Sequence, residues 1–479
     1  MSFFKSIIYN LPEVAGPTQK KLSFKEKLKW TLIILVIYFA LGLFPLFGLG
    51  QNSLQNFEFL SIILGAQFGS IISLGIGPIV TSSIVLQLLN GSGIVKFDLK
   101  TPEGKKTFQG VQKLLSYFFI IFESSIYVFM GGFSPPVIGS QLGTTIVTGQ
   151  LFFRLQLIMV FQLILGGILI LFMDEVVSKW GFGSGIGLFI AAGVSQSIFI
   201  QAFNWLPGPD GVEGITYSAG KLPGLFQALS AGDPTTAGIN IASILATILV
   251  FMLVVYIQAM KVEIPLSFGK IRGHGIRWPL SFIYTSNIPV ILVAALLANL
   301  QLWGSLFQNT FFGPLLGQYS SDGVLIGGLA YWLRAPNLVR TIIEQKTLFL
   351  SADIYLQSIA YVVFMVAGAI IFSIFWMQTA GMDARTQAGN MMSSGLQIPG
   401  FRRDQRVLES LLGRYIMPLT VMGGATVGLL AAVADLSGAL SQGTGILLAV
   451  MIIYRLYEDI AKQHAVDMNP MMRKFIGEN

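Results

Sequence analysis

Apolar runs of roughly 20 residues recur along this chain from about residue 30 to about residue 461, each near the length of helix that spans the ~30 Å hydrocarbon core of a bilayer. No other feature restricts the fold as much. In lipid every backbone N–H and C=O needs a partner within the protein, so only helices or closed barrels cross. A barrel would show alternating segments of about ten residues, whereas these runs are continuous. The composition agrees: 53% of residues are hydrophobic and 11% charged, where soluble domains carry about 25% charged residues. Glycine, at 53 residues, suits helices that pack closely or break inside a bundle.

Ten spans follow, at about residues 30–49, 74–90, 110–131, 151–173, 183–203, 238–260, 282–302, 354–377, 416–434 and 441–461. The second is short. Asn56 to Ser73 before it is only moderately apolar and carries Gly65, Gly69 and Ser70, so it reads as a half-inserted helix sheltered from lipid. Lysine and arginine gather before span one, between two and three (Lys96, Lys100, Lys105, Lys106), between six and seven (Lys270, Arg272, Arg277) and between eight and nine (Arg402, Arg403, Arg406), while 131–150 has no charge. The positive-inside rule then places both termini in the cytoplasm. Segment 303–353 departs from it, with Arg334, Arg340 and Lys346 outside, but long loops cross regardless of charge. No cleavable signal peptide is expected. Phe3, Phe4, Ile7, Ile8 and Leu11 share one face of a short helix suited to the membrane surface.

Five spans per half is an odd number, so a duplicated chain would place its halves in opposite orientations. The sequence carries such an echo. Gly183-Ser184-Gly185-Ile186-Gly187-Leu188 and Gly443-Thr444-Gly445-Ile446-Leu447-Leu448 open spans five and ten. Gly75-Ile76-Gly77-Pro78-Ile79-Val80 and Asn287-Ile288-Pro289-Val290-Ile291 put a proline inside spans two and seven. Paired interruptions of this kind mark a working site at the repeat interface. The expected domains are a cytoplasmic segment 1–29, a first half 30–203, an external hinge loop 204–237, a second half 238–461 with cytoplasmic loops 261–281 and 378–415, and a tail 462–479.

Catalysis is not expected. The chain has no cysteine and two histidines, His274 and His464, both in polar loop or tail segments. Ser184 therefore has no histidine base within a span, cysteine-ligated metal sites are excluded, and no Walker A phosphate loop is present. No cofactor or metal is expected.

The motifs resemble those of SecY, the large subunit of the Sec protein-conducting channel, in its archaeal form. They include Gly75-Ile76-Gly77-Pro78-Ile79-Val80-Thr81, Thr285-Ser286-Asn287-Ile288-Pro289-Val290-Ile291, the Gly183 to Gly193 opening, Gly400-Phe401-Arg402 and Arg414-Tyr415-Ile416-Met417-Pro418. The resemblance runs from Leu11-Pro12-Glu13-Val14 to Tyr454-Arg455-Leu456-Tyr457-Glu458. It implies an all-α polytopic fold, ten transmembrane helices in two inverted five-helix halves with a re-entrant plug helix. It further implies a passive channel in the cell membrane that moves unfolded polypeptides across and releases transmembrane segments sideways into lipid. The partners implied are a SecE (gamma) subunit, a SecG-like archaeal beta subunit, the ribosome, signal peptides, nascent chains and lipid, with no DNA.

By the same resemblance, the pore ring comprises Ile76, Val80, Ile186, Ile190, Ile291 and Leu448. Ile76/Val80 and Ile186/Ile190 are i,i+4 pairs, each on one helix face, and an apolar constriction bars ions by dewetting. The lateral gate is given by Thr81, Glu123 and Asn287. Glu123 is the carboxylate set deep inside a predicted span, where an ionisable group is a functional candidate by default. Glu123→Leu is expected to shift the closed–open balance of the gate. The plug is given by Phe57, Glu58, Phe59, Leu60, Ser61, Ile62, Ile63, Leu64, Gly65, Ala66, Gln67 and Phe68, whose small and polar members make a poor independent span. Ribosome binding falls to Lys270, Arg272, Arg277, Arg402, Arg403 and Arg406, because arginine and lysine contacts to phosphate suit ribosomal RNA. The competing function is an inverted-repeat transporter of a small solute. That class places several polar groups at the midplane, where this path has Ile, Val and Leu. An intramembrane protease lacks the residues it needs.

Overall fold

The computed structural model describes residues 10–18, 22–52, 65–91, 94–95, 97, 101–136, 149–208, 217–268, 275–285, 288–307, 313–319, 325–347, 350–393, 396–397, 404–441 and 443–468. Among these, each expected span holds one long helix. They are α1 Phe24–Gly42, α2 Gly77–Gly91, α3 Pro102–Phe129, α4 Gly149–Trp180, α5 Gly185–Phe203, α6 Pro234–Ala259, α7 Ile288–Leu306, α8 Ala352–Thr379, α9 Gln405–Leu436 and α10 Gly443–Met468. Among the described residues, seven helical stretches are long and apolar enough, by length and composition, to cross a membrane; α2 is a shorter apolar helix.

The two prolines do not interrupt their helices. Pro78 and Pro289 are each the second residue of α2 and α7, where the missing N–H is one the helix would leave unpaired anyway. Pro418 lies inside a helix, α9. His464, expected in a polar tail, lies on α10, which continues to Met468.

The helices pack through small residues, as expected where lipid removes most of the hydrophobic drive between them. A Cβ on Gly424 or Gly428 of α9 would stand 2.5 Å from Ser373 Oγ or 2.7 Å from the Met365 carbonyl of α8. The enclosed element is α7, buried on nearly every side from Pro289 to Leu306. By contrast α6 turns Leu245, Leu249, Met252 and Tyr256 outward, a stripe suited to lipid. One apolar cluster joins α1, α2, α4 to α10.

The segments expected to be loops hold structure of their own. Gln51–Asn52 (β1) pairs antiparallel with Phe133–Ser134 (β2), and in 261–281, β3 Lys261–Phe268 pairs antiparallel with β4 Gly275–Ser281. A two-residue strand, Leu396–Gln397, adds to the other edge of β3. This small sheet sits over a second core of Ile264, Leu280, Met391, Leu408 and Leu412. A short helix Lys221–Ala231 lies in the 204–237 segment. Segment 303–353 contains a two-stranded hairpin and short helices Leu329–Trp332 and Leu338–Gln345, tied to α8 by Gln357 Nε2 donating to the Tyr331 carbonyl at 2.7 Å.

Candidate functional site

Four helices bring the six expected ring residues together. Ile76 immediately precedes α2, and the Val80 N–H donates to its carbonyl at 3.0 Å, so the pair shares one helical face. Ile186 and Ile190 open α5, Ile291 lies in the first turn of α7, and Leu448 in the second turn of α10. Ile76, Val80, Ile190, Ile291 and Leu448 are each between 0 and 5% exposed and belong to one apolar cluster, with Ile186 packed against it. Helices α5 and α10 run antiparallel here: Gly187 faces Ile452, and Gly445 faces Val194. Midway between those contacts, Ile190 and Leu448 stand at the same height.

Beside this cluster a buried polar chain crosses from α3 through α2 to α7. Thr81 Oγ1 lies 3.1 Å from Glu123 Oε1 and 2.8 Å from the Gly77 carbonyl, and accepts from Asn299 Nδ2 at 2.8 Å. One hydroxyl proton serves one of those two acceptors at a time. Glu123 Oε2 is buried with no partner among the described residues. Asn287, the residue expected to complete this set, lies outside the described residues; the side chain that reaches Thr81 from α7 is Asn299. Its signal was an amide inside an apolar span, which reading by motif passed over in favour of the asparagine beside Pro289. Next to this chain, α2 and α3 share a second contact, Ser82 Oγ to Ser116 Oγ at 2.7 Å.

Of the expected plug, Phe57 to Leu64 lie outside the described residues. Its end is a turn in which Gly65 has φ +52° and Ala66 is buried. A Cβ on Gly65 would meet Phe189 Cβ at 3.3 Å and Tyr38 Oη at 3.6 Å. Phe189, which stacks on Tyr38 with ring centroids 4.8 Å apart, is the neighbour of Ile190. The expected plug thus ends directly against the apolar cluster that holds the expected ring residues.

Residues 70–457 match the family model for SecY, and residues 36–69 match the model for the plug domain of Sec61p. The chain belongs to the SecY family. A protein translocase subunit SecY from Methanothermobacter thermautotrophicus is 43% identical over 479 residues, covering 99% of this chain and 98% of the relative. A solved structure described as that of a protein-conducting channel superposes with TM-score 0.80 at 41% identity, covering 97% of this chain and 98% of that one. Sec61 in a canine ribosome–channel complex from the endoplasmic reticulum superposes with TM-score 0.77 at 40% identity, covering 97% and 98%. Like its SecY relatives, the chain is a multi-pass membrane protein.

The SecY-type basic loops are only partly described. Lys270, Arg272, Arg402 and Arg403 lie outside the described residues. Arg277, on β4, is not a free cation: its Nη1 donates to Glu263 Oε2 across the hairpin at 3.0 Å. Arg406 lies in the first turn of α9, where Asp404 caps its N–H at 2.9 Å. Pairing of Ser267 with Gln397 and Phe268 with Leu396 holds the two segments side by side.

Proposed function

We propose that this chain is the central subunit of a Sec translocon, a gated passive channel for unfolded polypeptides. The observation that carries this reading is the single apolar cluster shared by the starts of α2, α5, α7 and α10, with the end of the plug segment against it. Packed Ile, Val and Leu side chains exclude water and ions, yet give a passing chain no fixed hydrogen-bond partner. A small-solute transporter would need polar groups on this path, and the polar chain of Thr81, Glu123 and Asn299 runs to its side.

That chain supports a lateral gate between α2/α3 and α7/α8. Interhelical polar contacts in membranes average about 0.6 kcal/mol and reach about 1.7. A signal sequence with about ten apolar residues, at roughly −0.3 to −0.6 kcal/mol each, gains several kcal/mol on reaching lipid. The second quantity exceeds the first, so a gate held by such contacts stays shut at rest and opens to substrate.

Several contacts support an arrangement with both termini cytoplasmic. Gln463 of α10 donates to the Leu22 carbonyl before α1, Lys261 of β3 pairs with Glu458 of α10 at 3.7 Å, and Glu13 pairs with Lys179 of α4. The N-terminal segment, the β3–β4 hairpin and the end of α10 therefore gather at one end of the bundle, with the basic loops. This end is suited to a ribosome, as in the canine ribosome–channel complex. Single-span gamma and beta subunits would cover lipid-facing helices.

The test uses the cysteine-free background. A stalled, signal-bearing nascent chain is offered to Ile186→Cys, with Leu245→Cys on the outward face of α6 as control. Disulfide crosslinking at Ile186 alone is the expected result. Its absence, with the ribosome bound and the protein folded, would overturn the ring assignment and favour the transporter reading.

A further inference from the structure

The two halves share a device that the sequence repeat does not reveal. In the first half, Asp174 near the end of α4 accepts the Ile186 N–H at 3.0 Å and the Gly185 N–H. In the second, Asp435 near the end of α9 accepts the Thr444 N–H at 2.8 Å, the Gly443 N–H and the Thr444 hydroxyl. Each carboxylate thus caps the first two residues of the following helix, α5 or α10. Each capped helix begins with a glycine pressed on the helix before it. A Cβ on Gly185 would lie 2.5 Å from Asp174 Cα, and one on Gly443 would lie 2.0 Å from Ala434 Cβ.

A third element repeats as well. Thr31 of α1 donates to its own i−4 carbonyl at 2.8 Å and accepts the Phe182 N–H at 3.0 Å. Thr247 of α6 donates to its own i−4 carbonyl at 2.7 Å and accepts the Leu440 N–H at 2.9 Å. Phe182 and Leu440 each stand three residues before the glycine that starts the next helix. So in both halves the first helix, the fourth and the fifth are joined at one turn.

The equivalence this sets differs from that of the motifs. By motif, Gly183 matches Gly443. By structure, Phe182 matches Leu440, Gly185 matches Gly443 and Ile190 matches Leu448, a constant offset of 258 residues. The two expected ring residues, one from each half, therefore stand at the same distance from their caps. The second half has an extra leg: Tyr361 of α8 donates to Asp435 Oδ2 at 2.5 Å.

We propose that Asp174 and Asp435, with Thr31 and Thr247, are matched positioning residues that set the height and rotation of the constriction side chains on α5 and α10; this rests on the ring reading of Ile190 and Leu448. An α-helix rises 1.5 Å and turns 100° per residue, so a first turn that slips by one residue removes its side chain from the ring. Carboxylates held by several N–H donors resist such a slip, because a buried acceptor left unpaired is costly.

The experiment measures the rate at which a charged, membrane-impermeant thiol reagent modifies Ile190→Cys or Leu448→Cys in reconstituted channels, per folded complex. Asp174→Ala is expected to speed modification at position 190 about tenfold, the scale of a lost charge-assisted hydrogen bond, and to leave position 448 unmoved. Asp435→Ala is expected to do the reverse. Asp→Asn variants, which keep one carbonyl acceptor, fall between. General destabilisation would move both positions together, and that result, or unchanged rates, overturns the proposal. Should an alanine variant fail to accumulate, Thr31→Val and Thr247→Val must give the same crossed pattern. A translocation intermediate jammed in the channel reports the ring separately: it protects both cysteines if they line the path. A crossed pattern without protection retains the positioning role and rejects the ring.

Discussion

At the residue scale, the contacts proposed to hold the gate depend on one hydroxyl. Thr81 accepts from Asn299 at 2.8 Å while lying 3.1 Å from Glu123, so it ties α7 to the α2/α3 pair. Removing the Asn299 amide severs that tie and leaves the Thr81–Glu123 contact in place. With an interhelical polar contact worth about 0.6 and at most about 1.7 kcal/mol, we predict that Asn299→Leu shifts the gate toward open by about threefold to about twentyfold. Crosslinking between cysteines placed across α2 and α7, with and without a signal peptide, measures it. An unchanged yield for Asn299→Leu and Glu123→Leu alike would remove the gate role from this chain of contacts. A second residue-scale prediction concerns Glu13, whose pairing with Lys179 holds its carboxyl below the ordinary value of 4.5. The contact therefore contributes fully above about pH 4.5 and is lost as the pH falls below that. Val14 N–H to Glu175 and Trp180 Nε1–H to the Ala15 carbonyl lie beside it on the same strap. A spin label at Ala15→Cys is expected to gain mobility as acid is added, and Glu13→Gln to be mobile already at neutral pH.

At the scale of elements, glycine positions separate packing from motif. Gly443 and Gly187 both belong to the echoed Gly-rich openings, but they meet different surroundings. A Cβ on Gly443 would fall within 2.4 Å of three atoms of Ala434, whereas one on Gly187 would find its nearest neighbour, Ser184 Oγ, at 3.3 Å. We predict that Gly443→Ala costs about 1 to 3 kcal/mol, as overpacking does. Gly187→Ala should stay within about 1 kcal/mol of the parent, since gained helix propensity offsets the tight contact. Thermal unfolding in detergent ranks the two; equal losses would mean that the glycines serve backbone freedom rather than close approach. The same contrast explains what could be read from the chain itself. The bilayer forces apolar runs to declare themselves, so each long helix was legible. The alternation of Val262, Ile264, Leu266 and Phe268 was also there to be read as a strand, but the segment's charge drew the reading to a loop. Asp174 and Asp435 each sit one residue beyond an expected span end, at 173 and 434. Hydropathy leaves them outside, and only the return of the next helix against the last one brings its N–H groups to the carboxylates.

At the scale of the whole molecule, basic segments alternate along the chain with a segment, 131–150, that carries no charge. The β3–β4 hairpin and the strand Leu396–Gln397 share one sheet, so the hairpin that carries Arg277 is held beside Leu396 and Gln397. The cations expected to meet the ribosome are not equivalent. Arg277 already pairs with Glu263, and an exposed pair of this kind is weak, about 0 to 1 kcal/mol, so exchanging it for a phosphate costs little and gains little. If Arg402 and Arg403 contact ribosomal phosphates, each should contribute to the counterions released on docking, roughly 0.7 to 0.9 in the slope of log K against log salt per contact. We therefore predict that Arg402→Ala with Arg403→Ala weakens ribosome binding and flattens that slope by between about one and two. Arg277→Ala should change it by less than half as much. Binding titrations over a series of salt concentrations decide the matter. A double variant that binds more weakly with the parent's slope would mean that these arginines shape the loop rather than touch phosphate, and the docking role would pass to other basic residues.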